Sequence, residues 1–314
     1  MNDTSLAFIT PSGVPAWKRW LVYSPLARIL IFAIGYALLT RVFGLFVHGV
    51  VLRGAAKTPW NDAASYLSIY VLPAFLVYLA LVRWIERRRM IELAPRDWPR
   101  VLVGAMAGIL LFGATAGILW LFGSYHVTGT NPHAAWLLAV LALGVGPGVC
   151  EEIIFRGVLF RIVEEGLGTW VALLISALFF GGAHILNPDA TLWTSAAIAI
   201  EAGLLIGALY HVTRSLWLCI GLHATWNFTE GTVFGIPVSG INADGWLVSH
   251  RTGPDWLSGG SFGAEASVLM VGFCSLCTLV LITIALRRRS IVPPSWWRKK
   301  SAALSADYAA KATS

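Results

Sequence analysis

The chain is dominated by apolar runs long enough to cross a bilayer, set between short basic loops. A spanning helix needs about 20 consecutive, mostly apolar residues. Eight segments meet that need: 29–52, 64–82, 101–123, 135–158, 167–186, 191–210, 215–230 and 267–286. The first contains Arg41 and His48, and the seventh is short. Only 12% of the 314 residues are charged, roughly half the share in a soluble domain. That is too little polar surface for a water-soluble enzyme. It also excludes a disordered chain and a protein that binds nucleic acid through a wet basic face. The expected fold is an all-α, polytopic membrane helix bundle of about eight transmembrane helices, with the lipid bilayer as a partner.

Charge placement predicts orientation. An even number of spans puts both termini on one side. Of the 23 Lys and Arg, all but Arg41, Arg53, Lys57 and Arg251 then fall on that side, with Arg156 and Arg161 assigned to the loop after the fourth span. Such asymmetry predicts cytoplasmic N- and C-termini in a multi-pass protein of the cell membrane. The chain divides into an N-terminal interfacial segment (1–28), a bundle (29–286) and a basic tail (287–314) expected to be partly disordered. Trp17-Lys18-Arg19-Trp20 and Trp296-Trp297-Arg298-Lys299-Lys300 have the composition of headgroup anchors. The first apolar run is too long for a cleavable signal peptide. Cys150, Cys219, Cys274 and Cys277 all lie in apolar runs and are assigned to packing. Segment 231–266 is rich in Gly, Ser and aromatic residues, and is either a cap or an exposed loop.

Ionisable groups inside a span are costly and mark function. Three clusters stand out: Glu151-Glu152-Ile153-Ile154-Phe155-Arg156, Phe180-Gly181-Gly182-Ala183-His184, and His223-Ala224-Thr225-Trp226-Asn227. Residues four apart share a helix face. Glu152 and Arg156 are therefore expected to pair, which leaves Glu151, about 100° around the helix, as the reactive carboxylate. Phe180 lies one turn before His184 and can orient its ring. His223 and Asn227 project together, as two donors for a developing oxyanion would. A carboxylate and an imidazole can deprotonate water, and two donors can stabilise the tetrahedral oxygen that follows. The same Glu151, His184 and His223 are equally candidate ligands for a divalent metal such as zinc. Glu201 is the remaining acid well inside a span, either behind the site or paired with a group such as Arg41.

These clusters match, in order, the EExxxR, FxxxH and HxxxN motifs of the CPBP family of CAAX prenyl endopeptidases and bacterial bacteriocin-processing and self-immunity relatives. The sequence resembles that family over the motif region 135–230. The resemblance implies a glutamate-dependent intramembrane endopeptidase. Glu151 and His184 would activate water, His223 and Asn227 would form the oxyanion site, and Glu152 and Arg156 would support the carboxylate. Metal dependence stays open. The implied substrate is a membrane-associated or lipidated peptide or protein. A proton- or ion-coupled transporter and a non-catalytic scaffold are the alternative functions; transporters often carry two related halves, and none is evident.

One spacing is awkward. Counted from the cytoplasmic ends, His184 lies about 24 Å from Gly168, Glu151 about 15 Å from Arg161, and His223 about 12 Å from Arg214. A shared site then requires the fifth span to tilt or to begin deeper.

Overall fold

A computed structural model describes Phe8 and residues 10–298. Seven helices are long and apolar enough to cross a membrane: α1 (Pro25–Val51), α2 (Pro59–Ile85), α3 (Pro95–Leu121), α4 (Trp136–Leu167), α5 (Thr169–Leu186), α6 (Leu192–Thr213) and, last in the chain, α8 (Val268–Arg287). Between α6 and α8 runs α7, which is Leu216–Phe228 continued by a π-helical Thr229–Val233. It is more polar than the others, and most of its side chains are buried. The bundle is the polytopic all-α architecture expected from the apolar runs.

Local sequence accounts for the helix starts. Ser24 accepts the Ala27 N–H at 3.2 Å ahead of Pro25, and Ser267 accepts the Leu269 N–H at 3.2 Å ahead of α8. Both satisfy donors that a helix start leaves free. On α1, Leu26, Leu30, Ile34, Leu38, Val42 and Leu45 recur at helical spacing and are exposed, which makes a strip suited to acyl chains. Trp17, Trp20, Trp296 and Trp297 are exposed near the chain ends, as interfacial anchors would be. Residues 299–314 of the basic tail lie outside the described residues. The four cysteines are free, and Cys274 is buried against Met270.

The partner that positions α7 is α3. A side chain at Gly104 would meet the Leu218 carbonyl, and one at Gly221 would meet the Val101 carbonyl. Glycine at these positions lets the two backbones touch. Thr225 Oγ1 then donates to the Ala105 carbonyl at 2.8 Å.

Two features depart from the expectation. A two-stranded antiparallel sheet joins β1 (Tyr125–Thr130) to β2 (Leu247–Arg251), with a bulge between Val127 and Gly129. Each strand is too short to announce itself, and the pairing spans four intervening helices. Arg156 and Arg161 are not loop residues: α4 runs on to Leu167, and both are fully buried in it. They can be, because each is paired.

Arg161 belongs to an ion network at one end of the bundle. Glu86 accepts from Arg28 at 2.7 Å, Arg161 at 2.9 Å and Arg88 at 2.7 Å. Glu165 bridges Arg28 at 2.5 Å and Arg161 at 3.0 Å. Nearby, Glu164 holds His211 at 2.7 Å and also binds Arg214. The network ties the start of α1, the end of α2, the end of α4 and the α6–α7 junction.

Burial by itself would raise the Glu86 carboxyl, but Arg161, Arg88 and Arg28 outweigh it and hold the group at about 2. A depressed carboxyl stabilises the fold fully above its unfolded value of about 4.3. That contribution is lost as pH falls through about 2. Replacing Glu86 by Ala leaves buried Arg28 and Arg161 sharing Glu165 alone, a loss of about 3 kcal/mol, the lower end for a broken buried pair. In thermal melts of detergent-solubilised protein, Glu86→Ala should unfold well below wild type at neutral pH, and the gap should narrow as the buffer is taken below about pH 4.

Candidate active site

The two neighbouring glutamates of α4 have different surroundings. Glu152 is fully buried, and its Oε1 accepts from Arg156 Nη1 at 2.8 Å and contacts His223 Nδ1 at 2.8 Å. Arg156 also donates to the Ala202 carbonyl of α6 at 2.8 Å, and its guanidinium sits 4.5 Å from the Phe180 ring centroid. One ion pair thus touches α4, α5, α6 and α7. The helix is α-helical over Gly146–Glu152 and π-helical on either side, over Val140–Val145 and Ile153–Phe160. Such widened turns recur at functional sites because they re-aim side chains.

Glu151 is half-buried, and its Oε2 is enclosed without a hydrogen-bond partner among the described residues. It lines a cavity of about 450 Å³ together with His184, His223 and Asn227. The three motifs therefore converge, as the sequence predicts. The cavity is otherwise largely apolar, with Tyr36, Tyr66 and Tyr70 on its wall.

Each imidazole is anchored through Nδ1. His184 Nδ1 lies 2.8 Å from the Phe180 carbonyl, and His223 Nδ1 is on Glu152. Both contacts occupy Nδ1 and leave Nε2 without a partner among the described residues. Phe180 packs between the rings, with its centroid 4.9 Å from His184 and 6.0 Å from His223. Asn227 Nδ2 donates to the Leu143 carbonyl at 3.2 Å, leaving one amide hydrogen free.

The awkward depths are reconciled by the length of α4. Because that helix continues to Leu167, the tight turn at Gly168 (φ 83°) is the common origin for α4 and α5. Glu151 and His184 then lie at similar distances from it, roughly 24–26 Å at 1.5 Å per residue. Arg214 adopts φ 51° after α6 ends and reaches Glu164 near the end of α4, and α7 starts at Leu216.

Some wall residues escaped the sequence reading. Ser239 and Glu265, from the segment between α7 and α8, line the same cavity, so that segment is a cap. Ser239 N and Oγ both donate to Glu265 Oε2 at 2.7 Å, and Asn187 Nδ2 donates to the Ser239 carbonyl at 2.9 Å. The one local signal was an acid flanked by small residues, Gly263-Ala264-Glu265-Ala266. Glu201 is fully buried and neither oxygen has a partner among the described residues, so it does not pair with Arg41. Arg41 lies instead in a separate groove beside His48.

Among the described residues, no group of three or more His, Cys, Asp or Glu side chains is arranged to hold a metal ion. Glu151, His184 and His223 share a cavity without forming a ligand set, and no chemistry below is routed through one.

The fold and cavity define a polytopic membrane protein with a polar pocket inside the bundle. Residues 132–229 match the family described as type II CAAX prenyl endopeptidase Rce1-like. That part of the chain is a CAAX/Rce1-like domain of the CPBP family, and it contains all three motifs. It ends before Glu230, Ser239 and Glu265. No curated protein matches the chain.

The geometry assigns Arg156 a structural load. Arg156→Ala leaves the Glu152 carboxylate buried against His223 alone, which costs about 3–5 kcal/mol. The variant should lose folded protein on size-exclusion chromatography or melt far below wild type, and Arg156→Lys should recover only part of the loss because it cannot reproduce the planar fork.

Proposed function

We propose that the protein is a glutamate-dependent intramembrane endopeptidase acting on a membrane-associated or lipid-anchored peptide or protein. The observation that carries this reading is the contrast between adjacent acids: Glu152 is tied through Oε1 to Arg156 and His223 and does not line the cavity, while Glu151 lines it and is in no ion pair among the described residues.

In this mechanism a water sits between Glu151 and His184 Nε2. Glu151 takes one proton as the water oxygen attacks the scissile carbonyl carbon. The carbonyl π electrons move to oxygen, giving a tetrahedral oxyanion. Asn227 donates its free amide hydrogen to that oxygen. Glu152 on His223 Nδ1 supports a doubly protonated ring in the transition state, whose Nε2–H supplies the second donor. The intermediate collapses, the C–N bond breaks, and Glu151 returns its proton to the leaving nitrogen. Phe180 holds the imidazoles apart and in orientation. The enclosed, mostly apolar cavity strengthens each of these charge interactions relative to water.

Loss of the general base should be severe, because a positioned acid–base group contributes about 10²–10⁴-fold. Glu151→Ala and His184→Ala should each abolish cleavage of a membrane reporter while the proteins still insert and purify as folded species. Asn227→Ala should retain a trace, with kcat down about 10²–10³-fold. Cleavage undiminished in Glu151→Ala would remove the basis of the assignment.

The basic residues also support an orientation with both termini in the cytoplasm. A C-terminal fusion to a reporter enzyme that is active only in the cytoplasm should be active, and the same reporter inserted in the loop near Lys57 should be silent.

A further inference from the structure

The cavity has a second carboxylate that the Rce1-like domain does not contain. Glu265 sits in the short turn Ala264–Ala266 ahead of α8, beyond the matched residues 132–229. Its Oε2 takes both donors of Ser239, and its Oε1 has no hydrogen-bond partner among the described residues. Ser239 is held for this in a left-handed conformation (φ 48°), followed by Gly240 (φ 84°) and closed by the Val238–Ile241 bridge. A non-glycine residue in that region is costly and persists where the surroundings over-determine it.

Charge in the cavity is unbalanced. Glu151 and Glu265 both line it, and among the described residues no Lys or Arg does. Arg156 is engaged by Glu152 and the Ala202 carbonyl. Glu201 and Glu230 are further buried acids without partners, and each adds negative charge to this end of the bundle only when ionised. Burial pushes the Glu265 carboxyl up, while the Ser239 donors and the His184 and His223 imidazoles act in the opposite direction. A positively charged guest would complete that compensation with a charge-assisted hydrogen bond. An anionic guest would meet two carboxylates in a medium of low dielectric. The apolar remainder of the wall suits the aliphatic stem of a long basic side chain.

We propose that Glu265, held by Ser239, is a specificity-determining residue that selects peptide segments carrying a Lys or Arg side chain within the cavity. The proposal rests on the endopeptidase reading for its substrate class. It also implies that a segment presenting a carboxylate at this position is rejected.

A binding measurement without turnover tests it separately from catalysis. Full-length protein in an uncharged detergent is titrated against three peptides with an uncharged fluorophore, identical except for Lys, Gln or Glu at one central position. Wild type should bind the Lys peptide at least about tenfold more tightly than the Gln peptide, the scale of one charge-assisted hydrogen bond, and the Glu peptide most weakly. Glu265→Gln should bring the Lys and Gln peptides within about twofold of each other, and Glu265→Lys should invert the order. Equal binding of the Lys and Gln peptides by wild type, or an undiminished Lys preference in Glu265→Gln, overturns the proposal. Should Glu265→Gln fail to fold, Ser239→Gly decides. It keeps the left-handed backbone and the N–H donor but loses the hydroxyl. A Lys preference reduced by about threefold or more supports the proposal, and an unchanged one overturns it. Cleavage lost in Glu151→Ala but not dependent on peptide charge would leave the endopeptidase reading standing and this one fallen.

Discussion

The buried carboxylate of Glu152 is the interaction on which the rest of the site depends. It receives the Arg156 guanidinium from its own helix and the His223 imidazole from α7 through the same oxygen. Arg156 in turn reaches the α6 backbone and covers the Phe180 ring. Four helices are therefore referenced to one charged group. A buried ion pair contributes little net stability compared with a well-packed apolar alternative. Here its consequence is positional: with Glu152 Oε1 engaged by Arg156 and His223, Glu151 is the α4 carboxylate that lines the cavity.

The same logic operates at the end of the bundle. Glu86, Glu164 and Glu165 draw Arg28, Arg88, Arg161 and Arg214 together from segments far apart in sequence. This network fixes how deep each helix starts. Depth matters because Glu151, His184 and His223 come from helices with different distances to their ends. The long α4 and the turn at Gly168 bring Glu151 and His184 to similar depth, and His223 is held to the same cavity by Glu152. Close backbone contact at Gly104 and Gly221 keeps α7 against α3, so the cavity-facing side of α7 cannot rotate away.

Much of the fold was legible in the apolar runs, since a bilayer admits few backbone solutions. The pairing of Glu152 with Arg156 was legible too, because four-residue spacing on a helix is a local property. The loop placement of Arg156 and Arg161 failed for a clear reason. Charge counting treats an arginine as a seeker of water, whereas Arg156 is neutralised by Glu152 on its own helix and Arg161 by Glu165 one turn away and by Glu86, which lies close only after folding. Ser239 and Glu265 were invisible for a related reason. Their mutual hydrogen bonds span a long, irregular segment, and neither residue sits in a periodic pattern. The β1–β2 pairing escaped likewise, because each strand is short and its partner distant.

By itself, the order of residues determined a multi-helix membrane protein with an acid, two imidazoles and an amide placed on three spans. Apolar length and helical spacing are local, so they survive without coordinates. Only the tertiary structure decided that these groups share one cavity and that Glu265 joins them from outside the matched domain. Those facts depend on which helices touch and at what depth, and the buried charges and glycine contacts that set both are relations between segments rather than properties of any one.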